Sequence, residues 1–216
     1  GRWTGQREFL VGTPFAGRNR PELEELVGFF VNTLVLRCDL DGGALTFREL
    51  LARVREESLA AHAAQDLPFE KLVERLQPQR DPSRNPLFQV LFVLQNTPEA
   101  IGAEGPRGLP LEPVTMETGT AKFDLTLEAA PAGKGLRLRF EYSADLFDAP
   151  TVERLAGWFQ RLLADAVERP GERLGDLALL SAAESHQALR EWSDTAAGYG
   201  PAECLHRLIE AQVDRT

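Results

Sequence analysis

Cysteine is scarce in this chain: Cys38 and Cys204 are the two in 216 residues, far apart and without CxxC or Cys/His spacing. Neither a disulfide framework nor a zinc site follows, no metal is indicated, and a reducing cytoplasm fits. Positive charge is also short. Against 33 Asp and Glu stand 24 Lys and Arg, for a net charge of -9, and the basic residues are interspersed with acids. That pattern argues against nucleic acid as a partner, because neutralising phosphates needs clustered cations. No apolar run approaches the roughly 18 residues of a membrane span, and Gly1 to Gln6 lack the apolar core of a signal peptide, so no membrane is expected either.

Signatures of chemistry are missing too. There is no GxGxxG, and the stretch from Gly12 to Gly17 lacks the lysine of a phosphate-cradling loop. The histidines, His62, His186 and His206, fall on expected helices or linkers with no serine or cysteine nucleophile motif nearby, so each reads as a solvated surface residue. An initiator methionine is absent and the chain stops at Asp214-Arg215-Thr216, which reads as a piece of something longer. What is present is enough for a core: 43% of the residues are hydrophobic.

The chain is organised around Arg80-Asp81-Pro82-Ser83-Arg84-Asn85-Pro86 and the apolar run Leu87 to Leu94 behind it. Two prolines among Asp, Ser and Asn make a rigid turn, and the uninterrupted run reads as a strand buried on both faces. Arginines at 80 and 84 beside such a strand need carboxylates or main-chain carbonyls as partners. Residues 9 to 16 read as a strand ending at a proline kink, and Pro21 opens a short helix. Phe29 to Arg37 reads as a second apolar strand, interrupted by Asn32 and Thr33. A buried amide is either satisfied by neighbouring backbone or lines a cavity.

Thr46 and Glu49 form a capping box for a helix reaching about Ala64; Gln65-Asp66-Leu67 breaks it, and Pro68 restarts a short one with Phe69, Leu72, Val73 and Leu76 on one face. From Gln95 to Pro113 the Gly, Pro and Glu content reads as a long loop. Phe123 to Glu128 and Leu136 to Tyr142 alternate strictly and predict an antiparallel hairpin, with acids on one strand facing arginines on the other. Asp148 caps a helix whose stripe runs from Val152 to Ala166. A second capping box, Ser181 with Glu184, precedes a linker. The fold class expected is α+β.

Four segments carry a resemblance. Gly12-Thr13-Pro14-Phe15-Ala16-Gly17-Arg18, Gly28-Phe29-Phe30-Val31-Asn32-Thr33-Leu34-Val35-Leu36-Arg37, Gln65-Asp66-Leu67-Pro68-Phe69-Glu70-Lys71-Leu72-Val73-Glu74 and Arg80-Asp81-Pro82-Ser83-Arg84-Asn85-Pro86-Leu87-Phe88 look like successive motifs of the condensation domains of non-ribosomal peptide synthetases. Residues 1–178 resemble the C-terminal lobe of that domain, 179–201 a linker, and 202–216 the start of an adenylation domain. The resemblance implies a chloramphenicol-acetyltransferase-like fold of two lobes with a tunnel between them. A donor thioester and an acceptor amine would meet there on phosphopantetheine arms of two carrier proteins, with no cofactor bound directly, and form an amide.

The resemblance places Asn32 and Thr33 at the tunnel. It implies that Arg18 and Arg84 are turn-fixing or inter-lobe cations paired with carboxylates, and that Thr13, Gly17, Gln65, Asp66, Pro68, Phe69, Glu70, Arg80, Asp81, Ser83, Asn85 and Pro86 are motif positions of mainly structural role. Where the family commonly has His before the Gln-Asp pair, Ala64 stands, with His62 two residues earlier. The family's catalytic His-His-x-x-x-Asp-Gly is absent from this sequence, so these residues alone are expected to be inert. Expected partners are the N-terminal lobe, the two carrier proteins and the adenylation domain. A docking platform without chemistry is the alternative.

Overall fold

The computed structural model describes residues 2–18, 20–78, 81, 83–95, 119–196 and 204–215. They fall into two units, Gly1–Leu179 and Leu180–Thr216. In the first, a mixed five-stranded sheet is built from β1 (Glu8–Phe15), β2 (Asn32–Asp39), β3 (Val90–Leu94), β4 (Leu125–Ala132) and β5 (Gly135–Tyr142) in the order β2-β1-β3-β4-β5. β1 and β2 pair antiparallel from Glu8 opposite Asp39 to Phe15 opposite Asn32. β3 runs parallel to both neighbours, meeting β1 at Gly12 opposite Leu91 and β4 along its whole length. The predicted hairpin is β4–β5, with Glu128 opposite Arg139 and their side chains 3.4 Å apart.

The core apolar run does not form one strand. Leu87 takes a positive φ of 70° and the Phe88 N–H donates to the Pro86 carbonyl at 2.9 Å, a tight turn in a conformation that branched and bulky residues avoid. The strand therefore begins only at Val90, and it is not covered on both faces: Val90 and Leu94 are exposed. Phe88, outside the strand, is instead the most enclosed aromatic among the described residues, 2% exposed, stacked on Phe123 at 5.4 Å and edge-on to Phe69 at 5.7 Å.

Helices complete the unit. The 4-residue α1 (Pro21–Glu24) is shorter than its acidic run suggested. α2 (Phe47–Ala63) carries the expected reciprocal cap between Thr46 and Glu49, and α3 (Phe69–Leu76) restarts after Pro68 and ends at Gln77 in a left-handed turn. α4 (Ala149–Glu168) starts at Asp148, whose carboxylate accepts from Thr151 N–H at 2.9 Å. It buries Val152 and Ala166 and sets Phe159 edge-on to Phe140 of β5 at 6.4 Å.

Residues 171–179 return alongside 43–47, joined by Leu174 N–H to Leu45 O at 2.8 Å and a bridge between Thr46 and Arg173. Leu177 is buried there. The second unit has the Ser181–Glu184 capping box, α5 (Ala182–His186) continuing into a π-turn to Glu191, and α6 (Leu205–Val213). Among the described residues no helix is long and apolar enough to cross a membrane.

Candidate functional site

Asn32 does not interrupt its strand; it starts it, and Phe29 to Val31 lie before the ladder. Its amide is turned away from β1 toward the connection between α2 and α3. Nδ2 donates to Gln65 O at 2.8 Å and to Leu67 O at 2.9 Å. Oδ1 accepts from Phe69 N–H at 3.1 Å and from its neighbour Thr33 N–H at 2.9 Å. Two donors and two lone pairs are all an amide has, so the side chain is saturated. It clamps the turn from Gln65 to Phe69, adding to the backbone bonds from Gln65 N–H to His62 O at 3.2 Å and from Leu67 N–H to Ala64 O at 3.1 Å across a segment where Pro68 has no N–H to give.

The turn so held forms one wall of a cleft of about 390 Å³. Asn32, Thr33 and Gly17 line it, together with Gln65, Asp66, Pro68, Phe69 and Glu70. Sequence reasoning missed Phe15, Phe29, Phe30 and Val31, which also line it; the available signal was their adjacency to Gly17 and Asn32. Among the described residues that line it there is no lysine or arginine, whereas there are two carboxylates. Gln65 lines the cleft, and its Oε1 is buried with no hydrogen-bond partner among the described residues.

Gly17 and Arg18 build the opposite rim. Gly17 has φ +66°, and a Cβ at that position would stand 2.1 Å from the Phe30 carbonyl oxygen, so the two segments touch backbone to backbone. The Arg18 guanidinium lies over the Phe30 ring at 4.4 Å and donates to the carbonyls of Leu23, of Glu24 at 3.3 Å and of Gly28 at 3.5 Å. It fixes the 20–30 segment as a turn-holding cation, but with carbonyl oxygens rather than the carboxylate expected for it. The planar fork suits several converging carbonyls.

The residues of the proline-flanked motif gather elsewhere. Asp81 accepts from Ser83 N–H at 2.9 Å and Oγ at 2.7 Å, bonds that hold its carboxyl below the usual range. Arg84 stands 3.8 Å from Asp81 with both side chains largely exposed. Asn85 Nδ2 donates to Lys122 O at 2.7 Å, tying the turn to the start of β4, and Pro86 precedes the Leu87 turn. Arg80 and Pro82 lie outside the described residues, as does most of the long loop, 96–118. Thr13, opposite Leu34 in the ladder, does not line the cleft. His62 packs edge-on against Phe15 at 4.9 Å.

A second cleft, about 290 Å³ between β2 and α2, is lined by Cys38, Leu50, Arg53, Val54 and Glu57 among others. Burial, then Glu57, pushes the Cys38 thiol up, so it is held as an unreactive thiol. None of the motif residues expected at the tunnel lines that cleft.

A family model described as a condensation domain matches residues 1–189. Part of the linear gramicidin synthase of Brevibacillus parabrevis is 51% identical over 215 residues, 99% of this chain and 4% of that protein. Malpinin synthetase of Mortierella alpina is 43% identical over 213 residues, 99% of this chain and 3% of that protein. Among solved structures, a four-domain holo non-ribosomal peptide synthetase bound to AMP and glycine superposes with a TM-score of 0.77 at 26% identity, covering 97% of this chain and 17% of that one. The X-domain from teicoplanin biosynthesis, in complex with OxyB, gives 0.69 at 28% identity over 83% of this chain and 40% of that one. The chain thus spans only a few per cent of the length of the curated relatives it matches.

Proposed function

The chain belongs to the condensation-domain family, and we propose that it is the C-terminal lobe of a domain that joins a carrier-bound donor thioester to a carrier-bound acceptor amine as an amide. The single observation that carries the assignment to a site is the clamp of Asn32 on the turn 65–69, which unites two separate sequence motifs at one cleft. In this reading that cleft is the lobe's share of the substrate tunnel, with Asn32 and Thr33 on its wall. Asn32 acts by holding Gln65 to Phe69 in place, since its own amide has no hydrogen bond left to offer.

Among the described residues that line the cleft there is no histidine, and its carboxylates are Asp66 and Glu70. In this reading the group that positions or deprotonates the amine belongs to the His-His-x-x-x-Asp-Gly motif of the other lobe, which this sequence lacks, and the 216 residues alone are inert. The partners of this reading are that lobe, the donor and acceptor carrier proteins with their phosphopantetheine arms, and an adenylation domain that begins near residue 202. Its setting is the cytoplasm.

The test is amide formation between donor- and acceptor-loaded carrier proteins by the parent synthetase, with this fragment as the blank. Product from the parent and none from the fragment supports the reading. A folded parent that binds both carriers but makes no amide overturns it and leaves a docking platform.

A further inference from the structure

Val27 is fully exposed and Phe29 is 89% exposed, the two barest large apolar side chains among the described residues, and Leu26 and Val31 beside them are exposed as well. The backbone that carries them is not slack. The Arg18 guanidinium holds the carbonyls of Leu23, Glu24 and Gly28, Leu23 N–H donates to Arg20 O at 2.9 Å, and Gly17 lies against the Phe30 carbonyl. Phe30 lies under Arg18 while its neighbour Phe29 stands in solvent. Apolar side chains held outward on a pinned segment mark a contact surface rather than a loose loop.

The surroundings narrow the partner to one. Residues 20–31 carry Glu22, Glu24 and Glu25 against Arg20, so a second copy of this chain would bring the same acids to the patch, a like-charge contact. Side chains this apolar suit a permanent contact better than a carrier protein that comes and goes. Phe29 and Val31 also line the cleft, so whatever covers the patch borders the tunnel of the proposed reaction. This chain accounts for 40% of the X-domain chain it superposes on, and the larger part of such a domain therefore lies outside these residues. We infer that Val27 and Phe29, flanked by Leu26 and Val31, are the anchors on which the N-terminal lobe of the same domain packs, through an apolar recess with a basic rim. The inference rests on the condensation reading and goes beyond it by naming the residues that join the lobes beside the cleft. Arg18 is then the residue that presents them.

The test uses the intact parent synthetase with p-benzoylphenylalanine in place of Phe29, and with the same group in place of Lys134, in the exposed turn between β4 and β5, as the control. Irradiation followed by peptide mapping identifies what lies against each ring. The expected product joins residue 29 to a peptide of the N-terminal lobe in the same polypeptide, in a yield that neither carrier loading nor dilution changes. Cross-links to a carrier protein, or between two polypeptides, overturn the inference, and so does a yield no greater than at Lys134. Val27→Asp is the second variant. Val27 is fully exposed and has no packing to lose within these residues, so a charge buried against the other lobe predicts a fall of roughly 2–4 °C in the unfolding midpoint of the intact condensation domain, with Val27→Leu level. An unchanged midpoint in Val27→Asp overturns the inference. Should the wild-type parent make no amide, the condensation reading fails by itself, and the cross-link still decides what covers Phe29.

Discussion

Phe88 lies against the bare backbone of Gly12: a Cβ built on Gly12 would stand 2.2 Å from two ring carbons of Phe88. The contact joins β1 to the turn before β3, where the two parallel strands meet at Gly12 opposite Leu91. Glycine here serves close approach rather than a special φ.

Gly12→Ala is accordingly expected to destabilise the fold by about 1–3 kcal/mol, since Phe88 is also held by Phe69 and Phe123 and has no free space to move into. Denaturant unfolding of the intact domain measures it. Phe88→Leu in the same chain should recover part of the loss, and purely additive effects of the two substitutions would show that the ring contact is not the cause.

Asn32→Ala leaves the carbonyls of Gln65 and Leu67 and the Phe69 N–H without their partner. A loss of about 1–3 kcal/mol follows for groups only partly shielded from water. Asn32→Asp is worse at neutral pH, because a carboxylate would face two carbonyl oxygens at the positions Nδ2 now bonds. Hydrogen exchange at Phe69 and through the first turn of α3 reports the loosening directly, and unchanged protection in Asn32→Ala would remove the clamp from the argument.

Asp165 gives the acid response. Its carboxylate is bonded through both oxygens by Arg169 and accepts from Ala178 N–H at 2.5 Å, and these bonds hold its carboxyl below the ordinary range. A depressed folded value means stability present above the unfolded carboxyl value, near 4, and lost as pH falls through the folded one. Asp165→Asn should therefore be less stable than wild type at pH 7 and converge with it as the pH is lowered below that window. A gap between the two that is independent of pH would refute the linkage. Glu49, Asp81 and Asp148, each lowered by local hydrogen bonds, add to the same acid loss in both proteins.

Arg18→Lys is not a conservative change here. An ammonium cannot reach three carbonyls and lie flat over Phe30 at once. The expected outcome is faster hydrogen exchange across residues 20–30 and, in the intact synthetase, slower amide formation, with β4 and β5 protected as before. Exchange unchanged at 20–30 would show that the segment holds itself.

Much of this was legible from residues alone where the physics is local. Thr46 with Glu49, Ser181 with Glu184, and Asp148 before Pro150 announced their helices because a cap depends on residues three positions apart. Alternation announced the β4–β5 hairpin for the same reason. The apolar run 87–94 misled, because hydrophobicity reports burial and not backbone direction: the Leu87 turn sends Phe88 into the core and leaves Val90 and Leu94 exposed. Of the site, the motif residues were named, but the aromatic lining at Phe15, Phe29 and Phe30 was not, since no periodicity marks residues outside regular elements.

The sequence by itself determined the element types, the charge character and, through its four motifs, the family. These depend on neighbours within a few positions or on the order of short segments. Only the tertiary structure decided which of those residues meet. Asn32 reaches Gln65, Leu67 and Phe69 across more than thirty residues, Gly12 lies under Phe88 from far along the chain, and Arg18 turned to carbonyls where a carboxylate was expected. Such contacts are set by strand register and by which polar groups burial leaves in need of a partner, and both are properties of the packed chain as a whole.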